Sequence, residues 1–83
     1  MSDAGPGIRV KLTFPEELIK EPILARLVRT FDVLPNIRRA NVESHMGWIV
    51  CELDGEPDAV ARSVDWLVEQ GVQVDHLGDV LES

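Results

Sequence analysis

Cysteine is almost missing from this chain: Cys51 stands alone, which excludes an intrachain disulfide and leaves no thiol cluster for a structural metal. Positive charge is also scarce. Eight Lys and Arg face fifteen Asp and Glu, for a net charge of −7. That sign repels nucleic-acid phosphates, whose binding rests on neutralisation by Lys and Arg, and it repels anionic lipid surfaces. No stretch is long and apolar enough to span a bilayer. The first residues, Met1-Ser2-Asp3-Ala4-Gly5-Pro6-Gly7, have neither the basic start nor the apolar run of a secretory signal. There is no Walker A loop, no Rossmann glycine fingerprint and no C-x-x-C pair, which argues against a nucleotide-binding ATPase, a dinucleotide enzyme or an iron–sulfur carrier within this chain. A reduced, cytoplasmic protein without a cofactor is expected.

What is present is enough for one domain with one modest core. A single core in a chain of 83 residues rarely supplies more than about 3–5 kcal/mol of net stability, so tight packing or oligomerisation has to supply the remainder. A homodimer is expected.

Residues 1–7 are small, polar and rich in Gly and Pro, and read as a disordered lead. Ile8 to Phe14 then alternates strictly, apolar at even numbers and polar at odd, the period of a half-buried strand that Pro15 ends. Glu16 to Lys20 reads as a turn leading into a helix that begins at Glu21 or Pro22, because proline is tolerated in the first helical turn. Ile23, Leu24, Leu27, Val28 and Phe31 share one helical face, with Arg26, Arg29 and Thr30 on the other. Pro35-Asn36 reads as a turn, and Ile37 to Met46 as an imperfect strand. Ile37 has the opposite parity to Ala40, Val42, Ser44 and Met46, so one extra residue near Arg38-Arg39, a bulge, is predicted. Gly47 reads as the hairpin turn and Trp48 to Leu53 as the return strand. A second helix runs from Pro57 or Asp58 to Gln70, with Val60, Ala61, Val64, Leu67 and Val68 as its buried stripe and Gly71 as its left-handed stop. Val72 to His76 is the last strand, and Leu77 to Ser83 a short tail whose last residues, 81–83, lie beyond a domain of residues 8–80. The order β-α-β-β-α-β, with right-handed crossovers, specifies an α+β ferredoxin-like fold: a four-stranded antiparallel sheet with two helices on one face.

Catalytic chemistry finds little support. His45 and His76 are far apart and belong to no spaced set of ligands, and Cys51 shares the parity of Ile49 and Leu53, a small buried apolar residue. No metal site is expected. Two features suggest binding instead. With Ile49, Cys51 and Leu53 turned to the core, Trp48, Val50 and Glu52 face outward beside Arg9, Lys11 and Thr13, and the exposed pair Trp48 and Val50 marks a contact face. An RNA-recognition sheet presents two or three aromatics for base stacking, whereas this face has one, so no nucleic-acid partner is expected. The second feature is Asn36. Between proline and a β-branched residue it is a natural turn former, yet its amide both donates and accepts beside an irregular strand entry, which suits the polar end of an amino acid.

Val10-Lys11-Leu12-Thr13-Phe14, Pro22 with Phe31-Asp32-Val33, Asn36-Ile37 with Ala40, Gly47, Gly55 and the closing Trp66-Leu67 and Gly71-Val72-Gln73-Val74 occur in an order that resembles the NIL domain, named for its Asn-Ile-Leu core. The resemblance spans roughly Ile8 to Val80. It implies a ferredoxin-like fold similar to amino-acid-sensing ACT domains, and the regulatory role that NIL domains have at the C-terminus of methionine ABC importer ATPases, where they pair as dimers and bind methionine. By resemblance the ligand loop falls on Asn36, Ile37 and Arg38. Arg38 departs from the family's apolar third residue, so a cation changes the shape and polarity of the pocket. The family also occurs fused to a ferredoxin segment, but the cysteines of such clusters are absent, and the chain resembles a free-standing NIL domain. It is expected to be a non-enzymatic module sensing methionine or a related sulfur amino acid at or near a dimer interface. The alternative is an accessory subunit that a transporter or a sulfur-transfer enzyme recruits, with no small-molecule ligand of its own.

Overall fold

The alternation of β1 (Ile8–Pro15) puts Val10 and Leu12, both fully buried, on one side of a sheet and Arg9, Lys11 and Thr13 on the other. The computed structural model describes residues 7–79 of the chain. After β1 come α1 (Glu16–Ile19), α2 (Ile23–Phe31), β2 (Leu34–Val42), β3 (Met46–Asp54), α3 (Pro57–Gln70) and β4 (Gln73–Asp79). The sheet order is β2-β3-β1-β4 and every neighbouring pair is antiparallel, which is the ferredoxin-like arrangement. Val10, Leu12, Ile49, Cys51 and Leu53 from the sheet meet Ile23 and Leu27 of α2 and Val60 and Leu67 of α3 in one core, so the helices cover one face only.

Several boundaries differ from the sequence reading, each for a local reason. Glu16 to Ile19 is a single helical turn rather than an open turn: Pro15, at φ −69°, leads in, and Glu16 and Glu17 sit at the positive end of the backbone dipoles. Pro22 is the N-cap of α2. The chain reversal expected at Pro35-Asn36 lies earlier, at Asp32, which takes a left-handed conformation (φ 57°) and donates its N–H to the Val28 carbonyl. Aspartate tolerates that conformation better than most residues. Pro35 and Asn36 therefore lie within β2, an edge strand, where proline has no ladder bond to lose on its open side.

The bulge is where the parity change put it. The β2–β3 register shifts between Ile37 and Arg39, leaving Arg38 as the extra residue. The hairpin turn is not at Gly47 but over Glu43, Ser44 and His45, closed by the Glu43 N–H to the Met46 carbonyl at 2.8 Å. Gly47 is a strand residue, paired with Val42 on one side and Phe14 on the other.

In α3 the buried stripe is Val60, Ser63 and Leu67, with Val64 half-buried; Ala61 and Val68 are exposed. Those two lie one position on from Val60 and Leu67, about 100° around the helix. Ser63 takes the central place because its hydroxyl donates to the Val60 carbonyl at 2.7 Å, which removes the cost of burying it. Gly71, at φ 103°, ends the helix as expected. Val72 is buried but precedes β4, which runs on through Leu77 and Gly78 to Asp79 because β1 offers Ile8 and Arg9 as partners across a register shift. Gly7 is buried, and a Cβ there would collide with the Leu53 carbonyl oxygen. The remaining lead, residues 1–6, and the end of the tail, residues 80–83, lie outside the described residues.

Candidate functional site

Asn36, Ile37 and Arg38 all sit on the edge strand β2, but not on one surface. Residues directly opposite in an antiparallel pair share a face. Asn36 is opposite Glu52, on the open side of the sheet, and Ile37 is opposite Cys51, on the helix side, where it remains 50% exposed. Arg38, released from the ladder by the bulge, brings its guanidinium to the open face, where Nη2 donates to Oε1 of Glu52 at 3.0 Å. The structure thus unites Asn36 and Arg38 around Glu52 and separates Ile37 from them.

Glu52 is the centre of this cluster. Arg9, opposite it on β1, donates through Nη2 to Oε2 at 2.7 Å. The carboxylate is 6% exposed on a face that no helix covers, because guanidiniums from both neighbouring strands roof it. The hydrogen bonds from Arg38 and then Arg9 hold the Glu52 carboxyl below its ordinary value, against the opposing effect of burial, and the same pairing raises Arg38. From the sequence Arg9 and Glu52 were legible only as outward-facing residues. The missing signal was register: nothing local says that Arg9, Glu52 and the bulge residue Arg38 line up across three strands.

Beside this cluster, Trp48 and Val50 do face outward, as the alternation of β3 requires, but both are half-buried. The Lys11 ammonium lies over the Trp48 ring, 5.1 Å from its centroid and within cation–π range.

The apolar cleft of the domain lies on the helix side. About 240 Å³ opens between the α1–α2 corner and the hairpin end of β2 and β3, bordered by Phe14, Leu18, Pro22, Leu24, Val42 and Ile49. Asn36, Ile37 and Arg38 do not line it; they occupy the opposite end of β2. Among the described residues no group of three or more His, Cys, Asp and Glu is placed to hold a metal ion. His45 lies 3.3 Å from Glu16, both exposed, and His76 is an exposed residue of β4. Cys51 is fully buried, and burial pushes its thiol up to about 11.

The fold and this edge-strand geometry can be set beside known proteins. The NIL domain pattern matches residues 8–76. The chain belongs to the NIL domain family. NIL-domain relatives include a methionine import ATP-binding protein of Myxococcus xanthus, 33% identical over 78 residues, 89% of this chain and 24% of that protein. Another, from Chromohalobacter salexigens, is 34% identical over 83 residues, 93% of this chain and 24% of that protein. The chain therefore spans about a quarter of the length of these relatives. The C-terminal domain of an ABC transporter ATP-binding protein from Enterococcus faecalis is similar in fold, with a TM-score of 0.76 at 25% identity, covering 87% of this chain and 84% of that one. Among the described residues no helix is long and apolar enough to cross a membrane.

Proposed function

We propose that this NIL domain is a non-enzymatic regulatory module that binds methionine or a related sulfur amino acid where two copies meet along their β2 edges. The observation that carries this reading is the state of β2. It is an edge strand, it presents Leu34, Ile37 and Val42 at 60%, 50% and 66% exposure, and its hairpin neighbour Met46 is 52% exposed. Beside Arg38 and Arg39, these exposed apolar side chains lie along an edge whose open backbone groups are a template for pairing with another strand, and a core of this size gains from the added burial. The names of the relatives, methionine import proteins, support the ligand class.

Pairing two β2 strands antiparallel runs the Asn36 end of one copy towards the Val42 end of the other. Ile37 of one copy, on the helix side, then comes towards the mouth of the apolar cleft in the other, while Asn36 and Arg38 stay on the open face of the joined sheet. On that open face the amide and guanidinium hold the amino-acid end and the thioether packs on the apolar side chain exposed beside them, Leu34, the division of labour usual in small-molecule sites. Ligand and dimer are coupled only as far as the ligand prefers the paired state.

Calorimetric titration with methionine, homocysteine, S-adenosylmethionine and leucine, with sedimentation on the same samples, tests the reading. Selective binding of a sulfur compound with a change in assembly is the expected result, and Asn36→Ala should weaken it about tenfold, the worth of a hydrogen bond or two. Unchanged affinity in a folded Asn36→Ala protein would remove Asn36 from the site. A second reading has one observation in its favour: the relatives carry this domain joined to an importer ATPase. On that reading the chain is an accessory subunit of a cytoplasmic transporter component or sulfur-transfer enzyme, docking through Trp48 and Val50 without a ligand. Trp48→Ala would then abolish partner capture and leave methionine without effect.

A further inference from the structure

We propose that Arg9 and Arg38, held in place by Glu52, form a receptor on the open sheet face for the carboxylate of a free amino acid. The identity of the amino acid rests on the sulfur-amino-acid reading above, but the anion site itself does not. Its first support is geometric. Arg9 and Arg38 come from strands on either side of β3 and converge on the two oxygens of one carboxylate, at 2.7 and 3.0 Å. Each guanidinium uses Nη2 on Glu52, and no other side-chain hydrogen bond engages either one among the described residues. A guanidinium has five donors in a fixed fork, so most of each fork stays available. The Arg9 and Arg38 side chains are 47% and 54% exposed while Glu52 is 6% exposed, so the free donors are on the solvent side and the fixing carboxylate lies beneath them. Glu52 thereby orders two long side chains before any ligand arrives, which removes part of the entropic cost of binding.

The second support is charge. Half of the chain's eight basic residues, Arg9, Lys11, Arg38 and Arg39, lie on this face, against Glu52, Asp54 and Asp75, in a chain of net charge −7. A local excess this small suits one planar carboxylate, which guanidinium forks match in shape, and not a polyanion, which the rest of the chain repels. Asn36, opposite Glu52 on the same face, adds an amide whose oxygen can accept from the ligand's ammonium.

The test is the response of the arginine Nε–H resonances of the whole chain to four probes at matched ionic strength: L-methionine, L-methioninamide, sodium acetate and sodium chloride. Saturable shifts at Arg9 and Arg38 with methionine and acetate, and none with methioninamide or chloride, are expected. R9Q and R38Q should each weaken methionine binding about tenfold or more, as loss of a charge-assisted hydrogen bond does. R38Q alters an exposed bulge residue, so it decides the matter if R9Q fails to fold. Methionine binding that R38Q leaves unchanged, with the arginine signals still, overturns the receptor and keeps the sensor. Saturation by acetate without any methionine binding would leave a plain anion site, and overturns both the assignment to a free amino acid and the sensor reading. Equal shifts with chloride, or none with acetate and methionine, overturn the receptor.

Discussion

A carboxylate roofed by two arginines makes Glu52 the residue on which the open face turns, and its protonation should be visible in stability. Because its folded-state value is depressed, its contribution is fully present above the unfolded glutamate value of about 4.3 and is lost as pH falls through the lower folded value. E52Q should therefore lower the urea midpoint at pH 7, and the gap to wild type should close below about pH 4. A gap that is constant with pH would mean that the arginines do not hold a charged Glu52. Cys51 gives a second check at this scale. With its thiol pushed up to about 11 and fully buried, the native protein should resist thiol–disulfide exchange at pH 8, with labelling fast only in urea. Rapid labelling without denaturant would show that β3 opens readily.

Among the elements, β2 carries the functional argument. It is an edge, its bulge turns Arg38 to the open face, and its exposed apolar residues are on both sides of the sheet. A further charge, placed among the exposed apolar residues of this edge, opposes strand addition at little cost to the monomer. Ile37→Lys, at a position already half in solvent, is thus expected to shift sedimentation from dimer to monomer and leave the unfolding midpoint of a dilute sample nearly unchanged. A variant that stays dimeric would move the interface off this strand. The helices are constrained differently: α2 and α3 each present one stripe to the sheet, and Phe31 and Trp66 meet edge to face between them at 5.8 Å.

For the molecule as a whole, the core is small enough that single residues matter. Leu27 is fully buried at the centre of α2, and truncating a buried leucine to alanine costs about 2–5 kcal/mol. In a domain with about 3–5 kcal/mol to spare, Leu27→Ala should leave a substantial unfolded fraction at 25 °C by circular dichroism. Saturating methionine at about a hundred times its dissociation constant should return about 2.7 kcal/mol if it binds only the folded state. No recovery would count against a methionine site of useful affinity.

Sequence alone determined what depends on local period and local chemistry. Alternation over Ile8 to Phe14 defined β1, the helical stripes defined α2 and α3, Gly71 ended α3, and the parity break at Ile37 located the bulge; together they specified the ferredoxin-like order of elements. Where a residue type has two local uses, only the tertiary structure decided. Pro35-Asn36 and Gly47 carry turn chemistry but lie within strands, because Asp32 and Glu43 to His45 make the reversals and the sheet supplies partners for the rest. The extension of β2 through Asn36 and Ile37 put these neighbours on opposite faces by the pleat, and register, which residue patterning cannot express, gathered Arg9, Arg38 and Glu52, distant in the chain, into one charged cluster.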